Sequence, residues 1–499
     1  MIAATLKWVS DVLNRPFENY GSAGRTVDME QQVVGITTDS RNIVSGEVFL
    51  ALKGPNFDAH KFIAEVKTKG AIAAVVEQAD TTVDLPQIVV PNTLRALGLL
   101  GAAVAKTVNA KTIAITGSVG KTSVKEMCAE ILKQKGEVLA TAGNFNNEIG
   151  VPLTLLRLEP KHQFAVVELG ANHLGEIAYT TRLASPDVAI LNNVAEAHLE
   201  GFGDLNGVAT AKSEIFEGLK SGGTAVFDRH SDYRSQWLSK LEQQFAETPG
   251  QVVEFNANDE TAEENQFSAS DITLDERGCA KFVMHFEQHK LAITLNVPGK
   301  HNVANALAAA AACYQIGATL QQIAAGLNAA KSVKGRVNLH PVNDQVLIID
   351  DTYNANVQSV KAAIDLLQSY QGLRILVLGD MAELGADARR LHQEVGVYGV
   401  QQGIDKLFSF GVLSQNTSTE FERNGAHYSS QAQLIKDIHL VIASAGNEVN
   451  KQPVVVLVKG SRSAKMELVV EELIKQIEFS VNDDNDKNNN KNSKGTASC

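Results

Sequence analysis

Apolar residues in this chain fall into short runs that end in glycine, asparagine or an acid, and the runs alternate with stretches of helical spacing. Residues 48–52 and 72–76 are two such runs, punctuated by Gly and Pro, and they predict a small α+β unit in the first hundred positions. Residues 94–108 then carry apolar side chains three and four apart, as an amphipathic helix does. From Lys111 the style changes. Residues 111–116, 164–168 and 188–193 are buried-type strands followed by polar or Gly-rich turns, and strands alternating with helices predict parallel sheets. Residues 230–290 are more polar, with alternating Phe and Val, and predict an inserted or antiparallel part.

Residues 301–313 are Ala-rich and helical, and residues 331–336 read as a hinge. The strand pattern then restarts at 346–349, 374–378, 407–410 and 454–458, which predicts a further α/β unit. Residues 481–494 are almost wholly Asn, Asp, Lys and Ser and cannot bury enough apolar surface to order themselves. The expected organisation is α/β in three domains. Residues 1–108 form a small α+β N-terminal domain, 109–333 a central parallel-sheet domain, 334–480 a Rossmann-like C-terminal domain, and 481–499 a disordered tail.

Composition narrows the partners more than the fold. A formal net charge of -12 gives the chain no electrostatic reason to seek nucleic acid or an anionic membrane. Cys128, Cys279, Cys313 and Cys499 lie far apart, with no CxxC pair, so neither a disulfide framework nor a zinc knuckle is expected. The first residues lack a basic and then apolar leader, and no run of about 18 apolar residues occurs. A cytoplasmic protein without a transmembrane segment is expected.

The strongest local chemistry is Thr116-Gly117-Ser118-Val119-Gly120-Lys121-Thr122. Phosphate binding needs glycine where backbone N–H groups approach oxygens closely, a lysine for the β- and γ-phosphate charge, and a hydroxyl for Mg²⁺. A β-branched strand precedes the loop, and Val124, Met127, Cys128, Ile131 and Leu132 give one apolar helical face after it, so ATP is the expected ligand. The eight-residue pattern asks for Gly at 115, where this chain has Ile115. Glu168 closes a neighbouring strand, on the edge where a carboxylate can hold the metal of a phosphate loop or stand as an exposed strand-end acid. Taken alone, His198 reads as structural or solvated and Lys212 as a surface lysine on a helix. Three polar clusters close the strands of the third domain: Asp350 to Asn356, Gly379 to Gly385 and Lys459 to Arg462. Together they make a substrate face, with Lys459 and Arg462 suited to a carboxylate or phosphate.

These strings resemble the Mur ligases of peptidoglycan synthesis over nearly the whole chain, from Thr38 to Arg462. The phosphate loop and Gly143 to Pro152 match the superfamily, folylpolyglutamate synthetases included for the loop. Glu168 to His173, Asp351 to Asn356 and Gly379 to Gly385 are similar to the branch that adds D-alanyl-D-alanine to UDP-N-acetylmuramoyl-tripeptide, by way of an acyl phosphate. The resemblance implies the roles. Thr122 and Glu168 hold one Mg²⁺, and His198 and Lys212, carbamylated on its amine, hold a second. Asn305 meets adenine, while Arg336 and Asp351 close over ATP. Thr38, Asp39, Ser40 and Arg41 hold the UDP end, and Asn146 and Asn147 lie beside the muramoyl-peptide. Tyr353, Asn354, Asn356, Lys459, Ser461 and Arg462 form the remaining substrate face, and a monomer is expected. Where the family shows Asn-Ala-Asp, this chain has Asp228-Arg229-His230, and no nucleotide contact is assigned there.

Overall fold

The computed structural model describes residues 2–20, 26–257, 266–446 and 452–478. The Asn/Asp/Lys-rich tail expected at 481–499 lies outside them. Three sheets dominate, and their strands follow from runs of β-branched residues that bury both faces.

The first sheet has five strands in the order Glu18–Asn19, Pro86–Val89, Ala73–Val76, Glu47–Leu50 and Gly35–Thr37, all parallel except the first pair. The helix Thr93–Val108 leaves this sheet and begins at Asn92, whose side chain accepts the Arg95 N–H. Its Leu97, Leu100 and Val104 are buried in one core shared with both the first sheet and the central one. Full burial of a leucine is worth about 2 kcal/mol relative to exposure, so the shared core fixes these two units to each other. Gly101 lets this helix approach Pro152, since a Cβ there would stand 3.0 Å from the Pro152 Cα.

The central sheet has nine strands, in the order Val138–Ala140, Phe164–Glu168, Lys111–Thr116, Val188–Leu191, Gly223–Asp228, Gly250–Asn256, Phe267–Leu274, Cys279–Phe286 and His289–Pro298. The first seven run parallel, and the last two add an antiparallel edge. The expected antiparallel part is therefore 267–298. Residues 230–256 instead hold the helix Arg234–Glu247 and a parallel strand. Alternation splits the sheet: Ala114 faces the core shared with the N-terminal unit, and Ile113 and Ile115 face the helices Lys121–Lys133 and Asn302–Gln315. The strand expected at 188–193 ends at Leu191, because Asn192 and Asn193 turn to the phosphate loop.

The C-terminal sheet runs Asn338–Pro341, Val346–Asp351, Val454–Lys459, Leu373–Gly379, Lys406–Phe410 and Gly425–Tyr428, parallel after an antiparallel first pair. The strands that carry the three polar clusters are neighbours and parallel, so their C-terminal ends share one edge. Among the described residues no helix is long and apolar enough to cross a membrane.

Candidate active site

The phosphate loop is a backbone device. Gly117 and Gly120 have φ of 151° and 79°, conformations that an L side chain rarely adopts. A Cβ on Gly120 would meet the Asn305 Oδ1 at 2.5 Å and the Asn192 Nδ2 at 2.7 Å. The loop is braced from behind. Asn193 Oδ1 accepts the Val119 N–H, Asn192 donates to the Val119 carbonyl and to Asn305, and Asn305 donates to Asn302. Ser118 Oγ accepts the Ala195 N–H, and Thr116 Oγ1 donates to the Leu169 carbonyl. Ile115 is fully buried among the central apolar residues, so at this position the chain is still strand and needs no glycine. Lys121 Nζ donates to the Gly117 carbonyl at 2.6 Å, folded back over its own loop. Burial lowers its pKa, the nearby Arg336 lowers it further, and the Glu168 charge works against both.

Glu168 is buried with its carboxylate held on both oxygens. Thr122 Oγ1 donates to Oε2 at 3.0 Å and Asn146 Nδ2 donates to Oε1 at 2.9 Å. Arg336 reaches from the C-terminal unit to Thr122 Oγ1 at 3.1 Å, its guanidinium stacked 4.3 Å from the Tyr353 ring centroid. These residues bring the loop, the strand-end acid and the third unit together.

Lys212 departs from the surface reading. It is fully buried, and its Nζ has no hydrogen-bond partner and lies 5.4 Å from the Phe202 ring centroid. Burial, aided by the Lys121 charge, pulls its pKa down to about 7 against the opposing charges of Glu176 and Glu214. The His198 ring packs edge-on against the same Phe202, 6.3 Å between centroids. The His198 Nδ1 stands 2.5 Å from Glu383 Oε2 of the C-terminal unit, at ion-pair distance though off the line of a good hydrogen bond. That contact lowers the Glu383 pKa.

A cavity of about 530 Å³ separates the central and C-terminal units. Ser118, Val119, Gly120, Lys121, His198 and Asn305 line one wall, and Arg336, Asp351, Asn354, Asn356 and Lys459 line the other. A larger cleft of about 1070 Å³ near Ser332 to Leu347 holds, of the expected substrate face, Asp350 alone and none of the phosphate-loop residues, so size does not select the site. The remaining expected residues are placed as follows. Lys459 is buried and committed to Asp351, with Nζ to Oδ2 at 2.6 Å, and to the Asn354 carbonyl. Asn356 caps the helix Val357–Gln368 in a reciprocal pair with Ser359, and Asn147 accepts the Ile149 and Gly150 N–H groups at the start of another helix. Ser461 Oγ pairs with Ser463, and the exposed Arg462 pairs with Glu467. Thr38 to Arg41 lie apart from the cavity, on the N-terminal unit. There Asp39 and Arg41 form a two-point ion pair that holds the Asp39 carboxyl well below the usual range, and Lys69 Nζ donates to the Ser40 carbonyl.

The cavity also contains Asp228, His301, Lys361 and Glu383, which the sequence reading did not assign. Asp228 had the same signal as Glu168, an acid at the end of a parallel strand, and Glu383 lay inside a noted cluster. Nothing local marked Lys361.

The Mur ligase middle-domain family matches residues 115–313, the Mur ligase glutamate ligase domain 335–462, and the Mur ligase family catalytic domain 32–135. The chain is 44% identical over 473 residues, 95% of its length and 99% of the relative's, to UDP-N-acetylmuramoyl-tripeptide–D-alanyl-D-alanine ligase of Escherichia coli K12. Its structure is similar to crystal structure I of MurF from Acinetobacter baumannii, with a TM-score of 0.85, 34% identity, and coverage of 95% of this chain and 99% of that one. It is also similar to MurF ligase from Thermotoga maritima in complex with ADP, with a TM-score of 0.77, 28% identity, and coverage of 89% and 98%. Loop, strand-end acid and facing C-terminal edge thus coincide with a likeness that spans 95% of the chain. This chain belongs to the Mur ligase family, in its UDP-N-acetylmuramoyl-tripeptide–D-alanyl-D-alanine ligase branch.

Proposed function

We propose that the cleft between the central and C-terminal units joins D-alanyl-D-alanine to UDP-N-acetylmuramoyl-tripeptide at the expense of ATP. As a member of this branch the protein is an ATP-dependent ligase of peptidoglycan synthesis. The observation that carries the mechanism is the two-sided cleft: a phosphate loop on one wall, polar strand ends on the other, and Arg336 crossing to Thr122.

Amide formation between a carboxylate and an ammonium needs an activated acid. The terminal carboxylate of the tripeptide attacks the γ-phosphorus of ATP, and ADP leaves. The neutral amine of D-alanyl-D-alanine then attacks the acyl carbon, loses a proton, and displaces phosphate, giving UDP-N-acetylmuramoyl-pentapeptide. Phosphoryl transfer asks mainly for positioning and charge. Gly117 to Gly120 present backbone N–H groups, and Lys121 leaves the Gly117 carbonyl for the phosphate oxygens. Arg336 and Asp351 close over the nucleotide, Asn305 meets adenine, and closure keeps water from the acyl phosphate.

Two Mg²⁺ sites fit the donors present. Thr122 and Glu168 already place a hydroxyl against a buried carboxylate, the oxygen set that Mg²⁺ takes. Among the described residues no three His, Cys, Asp or Glu side chains cluster as a metal site. His198 and Lys212, which both pack on Phe202, would share a second cation once the Lys212 amine is carbamylated. Its buried, unpartnered amine with a pKa near 7 is suited to react with CO₂. Held by these residues, the cations would supply charge neutralisation at the phosphates.

Residues 1–108, with Thr38 to Arg41, take the UDP end. Residues 109–333 take ATP and, at Asn146 and Asn147, the muramoyl-peptide. Residues 334–480 take the acceptor through Tyr353, Asn354, Asn356, Lys459, Ser461 and Arg462. The enzyme acts as a cytoplasmic monomer. The test is ADP release with UDP-N-acetylmuramoyl-tripeptide against a panel of amines. Turnover with D-alanyl-D-alanine alone supports the reading. Nucleotide hydrolysis indifferent to the tripeptide would replace it with that of an ATP-driven switch.

A further inference from the structure

We propose that Glu383, a C-terminal residue, is a positioning residue that sets the ring of His198 on the central unit, so that the His198 site is completed only when the two units close. The idea rests on the reading of His198 as a ligand-bearing residue. The motifs place Glu383 only within the Gly379 to Gly385 cluster and give it no role of its own, yet its carboxylate is the group against His198 Nδ1, at 2.5 Å. The backbone repeats the contact, with the Glu200 N–H donating to the Glu383 carbonyl at 3.5 Å.

Three features aim Glu383 at this point. Both members of the pair are non-glycine residues in the left-handed region, His198 at φ 56° and Glu383 at φ 64°, a conformation that the surroundings must impose. The loop that bears Glu383 is pinned from below by His392, fully buried, whose Nε2 accepts the Met381 N–H while Nδ1 donates to the Ala388 carbonyl. It is pinned again by Asp380, whose carboxylate accepts the N–H groups of Val412, Leu413 and Ser414. The loop is thus held rigidly on its own unit, while the Glu383 side chain remains half exposed in the cavity and free of any other ion pair described.

The chemistry follows from the imidazole. A carboxylate on Nδ1 selects the tautomer with its proton there and leaves Nε2 as the lone-pair donor, the arrangement by which an outer carboxylate orients a metal-ligating histidine. Here that carboxylate comes from a different unit from the histidine. Opening the cleft removes it, and closing restores it, so the site on the central unit is tuned only in the arrangement that excludes water.

The test compares Glu383→Ala and Glu383→Gln with the full-length enzyme, with His198→Ala alongside and melting curves to confirm folding. Glu383→Ala should lower kcat by about tenfold or more with KM for ATP within about twofold, and Glu383→Gln, whose amide oxygen can accept from Nδ1 when the closed site aligns the pair, should recover most of the loss. The readout apart from turnover is the ¹⁵N spectrum of histidine-labelled enzyme with ADP bound. The protonated Nδ1 of His198 should be lost in Glu383→Ala and kept in Glu383→Gln. Wild-type kcat and an unchanged His198 signal in Glu383→Ala, with His198→Ala inactive, would overturn this inference and leave the proposed function standing. An active His198→Ala would remove the reading of His198 itself.

Discussion

The phosphate loop and the Lys212 pocket lie in the same unit, yet they are made in opposite ways. The loop's chemistry resides in consecutive residues: Gly117 and Gly120 take backbone angles that others resist, and Lys121 and Thr122 follow at fixed spacing. The Lys212 pocket has no such grammar. Its helix Leu205–Ser213 is short and unremarkable in sequence, and Lys212 acquires its lowered pKa because the surrounding core removes water from its amine and the Lys121 charge repels its protonated form. A motif is therefore legible where backbone geometry carries the chemistry, and hidden where burial does.

Removing Lys121 should break the local half most severely. Lys121→Ala should cut kcat by at least about 10³-fold, since the charge on the transferred phosphoryl loses its nearest protein cation. The fold should survive, because the bond given up is a single one to the Gly117 carbonyl in a partly buried loop, worth about 1 kcal/mol. Steady-state ADP release with a parallel thermal melt measures both.

Lys212→Ala tests the half made by burial. Activity should fall by about 10²-fold and return in part with added acetate, which can occupy the place of a carbamate. The sign of the pH effect follows from the lowered pKa. The amine is protonated below about 7 and neutral above it, and only the neutral amine takes up CO₂, so carbamylation and activity rise as pH rises through that value. Rate profiles in CO₂-depleted and bicarbonate-supplemented buffer measure this. Unchanged activity of Lys212→Ala in depleted buffer would return the residue to a packing role.

The same divide runs through the rest of the molecule. Parallel strands at 111–116 and 164–168 were legible because apolar runs ending in polar turns permit little else, whereas the strand at 250–256 was missed because its Glu and Gln residues dilute the pattern. Ile115 departs from the loop pattern for a reason that only the core reveals: it packs with Val124 and Met127. Lys459 reads from the sequence as a cation for substrate, and the structure shows it also paired with Asp351, a partner more than a hundred positions away that no local motif reveals. Asn147 and Asn356 read as substrate contacts, and the structure shows each also capping a helix, which a string of residues does not distinguish from a ligand contact. Glu383 escaped assignment because its partner, His198, is nearly two hundred positions away and on another unit.

Carboxylate activation is the step on which everything above depends, and one labelled reaction reads it. UDP-N-acetylmuramoyl-tripeptide carrying ¹⁸O in its terminal carboxylate is turned over with ATP and D-alanyl-D-alanine, and the released phosphate is weighed. The acyl phosphate route breaks the carboxylate C–O bond and passes one carboxylate oxygen into each phosphate. Phosphate bearing a single ¹⁸O, formed together with the pentapeptide, is the predicted result. Unlabelled phosphate accompanying amide formation would show that the carboxylate is never phosphorylated and would contradict the mechanism assigned to this cleft.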